Sequence, residues 1–443
     1  MNTTGPTPGD VELLVLLVML SLAVAVVTRR LRIPYTLALV VAGLVLGALR
    51  LVPSLHLNPT VVLFVFLPAL LFEGAWSLDI RALYEEWLAI ALLAIPGLVL
   101  SLGIVALVVH FGAALPVGLA LLLGAIVSPT DPIAVLALLR QLGMPERLTT
   151  IIEGESLFND GVGAAAFQLV LGATLLELGQ GGPLEGLSTL LIVLKGLWLF
   201  AGGPALGVAI GLGVTLLVRR LEEPLIETTV TFCVAYGSYL LAELLGTSGL
   251  LAVVGAGLTL GSYGRRVGMA KPTLDVVDTV WEFTGYLANS LLFLLVGIQI
   301  GSSDLVPALP VIGWAVLGVF AGRALMVYTL LPLHDALVRF AGRHTTSERP
   351  RTYGHTPLPR IWRPLILLSG LRGALSLALV LSYPAGLPGR DTLVLAVYGV
   401  VLVTLLGQGI ALRLMLPRWP RAEASTAATT SSPTGGPDPH AML

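Results

Sequence analysis

Asp160 closes the segment Glu153-Gly154-Glu155-Ser156-Leu157-Phe158-Asn159-Asp160, and an apolar stretch runs on from Gly161 to Leu176. That stretch implies a helix beginning near residue 150, which would place the acids inside the protein. On a helix Ser156 and Asp160 stand one turn apart and share a face, with Asn159 flanking them and Glu155 one step round. A hydroxyl stacked over a carboxylate offers oxygen donors, the ligand type that hard cations prefer. Na+ belongs with that class. The competing reading is a loop whose acids are solvated, and the apolar continuation weighs against it.

A second acid sits in Ser128-Pro129-Thr130-Asp131-Pro132, within an otherwise apolar run. Pro132 cannot donate to the carbonyl of Ser128, nor Pro129 to that of Ala125. Two prolines three apart should unwind the helix and free carbonyl oxygens. At membrane depth such backbone is tolerated only when buried in protein or lining a cavity. Loose carbonyls and half-helix ends are the material of cation sites in transporters. The plainer alternative is a proline kink whose second half-helix is capped by Asp131, and the capping itself is expected. Glu73 ends an apolar run at Phe72-Glu73-Gly74, where a solvated helix end explains it as well as a ligand role does. Arg372 lies between small residues in Gly370-Leu371-Arg372-Gly373-Ala374. A buried guanidinium needs a carboxylate, and Glu155 is the expected partner. The two glycines also permit a second helix break opposite the first. The remaining ionisable groups in apolar runs are Glu153, Lys195, Glu243, Glu282 and Arg323.

The elements that carry these groups follow from hydropathy. The 443 residues are 56% hydrophobic and 12% charged, about half the charge of an ordinary soluble domain, which is roughly 25%. Apolar runs near the ~20 residues needed to cross a bilayer recur along the chain. The expected architecture is all-α, with thirteen spans at about 11–28, 34–50, 59–76, 87–111, 115–139, 150–178, 187–218, 225–245, 248–262, 277–300, 308–332, 361–383 and 391–416. Continuous rather than alternating apolar runs exclude a β-barrel. With the N-terminus outside, 20 of the 25 Lys and Arg residues fall on the cytoplasmic side, which supports an odd span count and an inside C-terminus. Residues 1–10 would form an extracytoplasmic N-terminus, 11–418 the membrane domain, and 419–443 a disordered cytoplasmic tail. The first apolar segment lacks a positive n-region and is expected to remain as a spanning helix. Ala42-Gly43-Leu44-Val45-Leu46-Gly47 in span 2 is echoed by Ala256-Gly257-Leu258-Thr259-Leu260-Gly261 in span 9. Seven spans apart, the copies would run in opposite directions, as in inverted-repeat transporters. A chance match in a Gly- and Leu-rich chain is the alternative.

Four segments carry a resemblance: Leu67-Pro68-Ala69-Leu70-Leu71-Phe72-Glu73, Ser128-Pro129-Thr130-Asp131-Pro132, Gly154-Glu155-Ser156-Leu157-Phe158-Asn159-Asp160-Gly161 and Gly370-Leu371-Arg372-Gly373-Ala374-Leu375-Ser376-Leu377. Together they resemble the hallmark segments of the monovalent cation/proton antiporter family, in the branch of bacterial NhaP and the animal sodium/proton exchangers. Ala242-Glu243 through Gly249 and Asn289 through Gly297 extend the similarity, which runs in order from about 12 to 416. The resemblance implies thirteen helices, an inverted six-helix repeat, crossed broken helices at spans 5 and 12, and a homodimer with elevator-like alternating access. It implies Na+ at Asp160, Glu73, Ser156 and the Thr130 carbonyl. Asn159 would tie two central helices together, Asp131 would balance half-helix ends, and Glu155–Arg372 would be a structural ion pair. Arg323 sits where the family tends to carry an arginine. Asn159, where a second aspartate could stand, resembles the branch that trades one cation for one proton.

The chemistry implied is exchange. A desolvated carboxylate at Asp160 holds a proton or a cation but not both, and competition for one site couples the two fluxes if only the loaded form crosses. Na+ and Li+ are the expected cations and K+ a further candidate. A cation channel or a cation/proton symporter on the same scaffold is the rival reading. No ATP-binding motif or intramembrane protease motif occurs, so no enzyme, cofactor or nucleic-acid partner is expected, and the lipid bilayer of the inner membrane is the expected setting. The single Cys233 rules out a disulfide framework.

Overall fold

The computed structural model describes residues 8–31, 35–51, 59–179, 189–219, 223–343 and 356–415. The expected tail at 419–443, the first seven residues of the expected N-terminal segment and residues 344–355 lie outside the described residues. Within them the chain is helical, and no strand occurs. The helices are α1 (Pro8–Leu31), α2 (Tyr35–Ala48), α3 (Pro59–Ser77), α4 (Ile80–Glu85), α5 (Trp87–Ala113), α6 (Val117–Val127), α7 (Ile133–Gln141) and α8 (Glu146–Glu177). They continue as α9 (Leu190–Val218), α10 (Pro224–Leu244), α11 (249–267), α12 (Lys271–Gly301), α13 (Leu309–Arg343), α14 (Trp362–Leu368), α15 (Ala374–Ser382) and α16 (Arg390–Met415). Among the described residues seven helices are long and apolar enough to cross a membrane by length and composition. Large apolar side chains such as Met19, Leu22, Phe111, Leu190 and Leu216 stay exposed on the outside of the bundle, the surface that hydrocarbon would cover.

Prolines set several local departures from the α ladder. Pro68 cannot donate to Phe64, Pro96 to Leu92, or Pro204 to Phe200. In each case a wider π turn (Val62–Phe66, Leu93–Gly97, Trp198–Gly202) absorbs the missing i→i−4 bond. Backbones approach closely along two small-residue seams. A methyl at Gly43 or Gly47 of α2 would lie 2.3 Å from a carbonyl oxygen of α12, and one at Gly297 or Gly301 of α12 would lie 2.4 Å from a carbonyl oxygen of α2. Likewise Gly257 and Gly261 of α11 lie against the backbone of Phe72 and Trp76 in α3. Without water between helices, packing of this kind supplies much of the association energy.

Expected span 11 ends at 332, yet α13 runs through Pro332 to Arg343. Its extension is anchored. Asp335 accepts the Leu358 amide (2.9 Å) and Arg363 (3.0 Å), while Arg147 binds Glu86 and Thr356. These bonds pin the chain entering α14 to the ends of α5, α8 and α13.

Candidate functional site

The chain breaks twice at the centre of the bundle, and the two breaks meet. α6 stops at Val127 and α7 starts at Ile133; α14 stops at Leu368 and α15 starts at Ala374. The Asp131 amide donates to the Leu371 carbonyl at 2.8 Å, joining the unwound segments directly. Asp131 Oδ1 accepts the Ile133 amide at 3.1 Å and so caps α7, as the proline pattern predicts. The other oxygen lies against Gly373, where an added Cβ would sit 2.2 Å from it. Gly373→Ala is therefore expected to push the Asp131 carboxylate off both half-helix starts. The protein should still fold, with exchange reduced at least tenfold when assayed in reconstituted vesicles.

α8 supplies the other wall. Asn159 Nδ2 donates to Thr130 Oγ1 at 2.7 Å and its Oδ1 accepts the Thr130 amide at 3.3 Å, so Asn159 holds the unwound segment to α8. Ser156 donates its hydroxyl to the Thr130 carbonyl. Both oxygens keep lone pairs for a further partner. The Asp160 carboxylate, one turn on, makes no hydrogen bond or ion pair within the described residues and lines a cavity of about 440 Å3. Glu73, Thr130, Asp131 and Ser156 line the same cavity. Glu73 reaches it from α3 and lies flat against Gly285 of α12. The five positions thus converge from α3, α8 and the unwound segment onto one space that is large enough for several waters or a partly hydrated cation.

The expected Glu155–Arg372 pair does not form. Glu155 instead pairs with Arg323 of α13. Both Nη atoms reach its carboxylate, Nη2 at 2.8 Å, with each partner almost fully buried. Arg323 Nη2 also donates to the Ile366 carbonyl at 2.9 Å, in the last turns of α14. Arg372 donates to the carbonyls of Ser128 and Pro129, the latter at 2.8 Å. The reason is the break itself. Pro132 leaves the Ser128 carbonyl without its helical donor, and Ile133 spends its amide on Asp131. The C-terminal end of α6 then presents bare carbonyls and a negative half-dipole, which a guanidinium satisfies without a carboxylate. Each arginine therefore serves the C-terminal end of one broken helix.

Sequence reasoning assigned no role to several residues at the cavity. Arg140 pairs with Glu153 at its mouth (2.8 Å; 60% and 16% exposed), and Glu282, Tyr286 and Asn289 come from α12. Glu153 and Glu282 stood out as acids in apolar runs. Asn289 carries no such signal, although its buried Oδ1 has no partner.

The family model for "Sodium/hydrogen exchanger, transmembrane" matches residues 15–418. The chain belongs to the sodium/hydrogen exchanger family. Its similarity to named exchangers is spread over most of its length. It is 38% identical over 390 residues to the Na(+)/H(+) antiporter ApNhaP of Aphanothece halophytica, covering 87% of this chain and 70% of that one. It is 35% identical over 362 residues to the Na(+)/H(+) antiporter NhaP of Pseudomonas aeruginosa, covering 80% of each. The exchanger fold is shared with the sodium proton antiporter MjNhaP1 of Methanocaldococcus jannaschii (TM-score 0.67, 20% identity, 92% of this chain and 97% of that one). Every candidate site residue of this exchanger lies inside the matched range.

Proposed function

We propose that this exchanger is a secondary antiporter that trades Na+ or Li+, with K+ a further candidate, for H+ at one shared site centred on Asp160. The observation that carries the reading is the unpartnered Asp160 carboxylate facing a cavity beside the unwound Thr130 segment. A cation entering there finds Asp160, Glu73, Ser156 and the Thr130 carbonyl as oxygen donors. A proton on Asp160 removes the charge that attracts the cation, so the two loads exclude each other. Asp131, Asn159, Arg372 and the Glu155–Arg323 pair hold the frame. Asn159 beside Asp160 favours an electroneutral cycle of one cation for one proton.

The proposed transmembrane plan has thirteen helices in an inner membrane, N-terminus outside and C-terminus cytoplasmic, built from an inverted repeat. The two glycine seams support the repeat. Exchanging span 2 with span 9 and span 3 with span 10 maps the α2–α12 seam onto the α11–α3 seam, and the same shift of seven maps broken span 5 onto broken span 12. The membrane-inserted unit is proposed to be a homodimer in which alternating access moves the loaded site, with a role in pH homeostasis.

Adding Na+, Li+ or K+ outside acid-loaded proteoliposomes is expected to alkalinise the lumen, at a rate independent of imposed membrane potential. Acidification of the lumen by co-moving protons would establish symport instead. A current that follows the potential without proton movement would establish a channel.

A further inference from the structure

Three helix ends meet at one corner of the bundle, where α1 and α16 finish and α2 begins. Between them lies a groove of about 540 Å3. Ala23 and Val27 of α1, Ala38 and Val41 of α2 and Ile410 of α16 form its wall, and Arg413 stands at its mouth. Val27, Val41 and Ile410 are exposed, so the groove opens on the outer surface that hydrocarbon would cover. Its floor is closed by Gly409, where an added Cβ would lie 2.8 Å from the Leu37 side chain of α2. From Arg413 down to Leu406 the wall descends about 10 Å, roughly two thirds of the ~15 Å of hydrocarbon in one leaflet. We propose that this groove is a site for one anionic phospholipid of the inner leaflet, with an acyl chain along the apolar wall and the phosphate on Arg413 and Arg30.

Charge selects this occupant over a neutral one. Neither Arg413 nor Arg30 makes a hydrogen bond or ion pair within the described residues. Arg30 follows Val27 by three positions and Ala23 by seven, on the same face of α1. No Asp or Glu occurs from residue 13 to 72 or from 392 to 422, so α1 beyond Glu12, α2, and α16 beyond Asp391 offer these arginines no carboxylate. α7 packs against α2 and the last turns of α16, and it carries no acid either. A basic mouth over an apolar groove between spanning helices suits an anionic head group with its chain below. The cavity of about 410 Å3 behind α5 and α8 makes the contrast, since no charged side chain lines it. The groove also touches the machinery of the crossing. Leu406 of its wall lies in the π turn Thr404–Gln408, and the Thr404 hydroxyl accepts the Arg372 amide at 3.3 Å. A lipid seated between α16 and the α1–α2 pair therefore braces the helix on which the second break leans.

Lipid binding is read without transport, so its outcome is separate from that of the exchange reading. The purified full chain in neutral detergent is titrated with phosphatidylglycerol and, separately, with phosphatidylcholine, and retained lipid is counted by native mass spectrometry. The parent is expected to hold one phosphatidylglycerol per chain, about tenfold or more in preference to phosphatidylcholine at low ionic strength, with the preference shrinking in high salt. Arg413→Gln and Arg30→Gln should each reduce that preference about fivefold. Arg219→Gln, exposed at the end of α9 and away from the groove, should leave it unchanged. Ala38→Phe fills the groove and should lower retention of either lipid at least about tenfold; Ala23→Phe takes its place if the first variant fails to accumulate. An equal loss in Arg219→Gln reduces the binding to general surface charge and overturns the site. Equal retention of the two lipids by the parent overturns the anionic assignment. Unchanged lipid retention in the filled variants, or loss of a dimer in place of lipid, gives the groove to another occupant and overturns the proposal.

Discussion

Asp160→Asn is expected to leave a folded protein that exchanges at below about one hundredth of the parent rate, a loss of more than about 2.7 kcal/mol. The fold should survive because the carboxylate makes no bond within the described residues that asparagine would break, and the two side chains are nearly equal in volume. Transport should fail because an amide takes up no proton in the accessible range and carries no charge to hold a cation. The same substitution should erase a second signal. Na+ that binds the native state stabilises it by about 2.7 kcal/mol at a hundredfold excess over Kd, a Tm shift that intrinsic tryptophan fluorescence reads directly. In Asp160→Asn the Na+-dependent shift should vanish while the Tm without Na+ stays within a few degrees. Parent-like exchange by Asp160→Asn would remove the residue from the site.

What was legible in the sequence divides along a physical line. The break in span 5 could be read because Pro129 and Pro132 delete named donors, a local covalent fact that no tertiary context restores. The capping role of Asp131 followed from the same place. The placement of Ser156 and Asp160 on one helix face, with Asn159 flanking, needed only the helical period, and the structure keeps it. The break in span 12 was weaker, because glycines permit an interruption without demanding one. The extension of α13 past Pro332 was not legible, since it depends on Asp335 finding the Leu358 amide and Arg363 from the chain beyond the loop. The exchange of arginine partners was invisible for a related reason. Arg323 and Arg372 both sit among small residues in apolar runs, and nothing in their flanks distinguishes them. The crossing distinguishes them: Asp131–Leu371 pairing sets Arg372 beside the bare carbonyls of α6, leaving Glu155 to the helix on its other side.

That exchange of partners reverses an expected order of damage. If Glu155 and Arg372 were paired, Arg372→Ala would strand a buried charge and be the more destructive change. With the observed geometry Arg323→Ala does so, at a cost of about 3–5 kcal/mol, enough to abolish accumulation of a protein of ordinary stability. Arg372→Ala removes donors from two neutral carbonyls, a loss of roughly 1–3 kcal/mol, and should leave protein that can be purified with a lowered Tm. Restoring charge balance gives the decisive comparison. Arg323→Met combined with Glu155→Gln removes both charges while keeping bulk, and should regain most of the stability lost in Arg323→Met alone. Arg372→Met combined with Glu155→Gln should show no such rescue, because the two groups are not partners. Both cycles are measured as Tm and yield in the same detergent, and coupling of Glu155 to Arg372 in place of Arg323 would contradict the crossing as drawn. Rescue of stability need not bring rescue of transport: Asn159 Nδ2 lies 3.5 Å from Glu155 Oε1 while holding Thr130, so the pair also steadies a residue beside the proposed ion site. A stable but slow double variant is the expected result, with the loss appearing as a raised half-saturating Na+ concentration because Asn159 no longer fixes the Thr130 amide and hydroxyl.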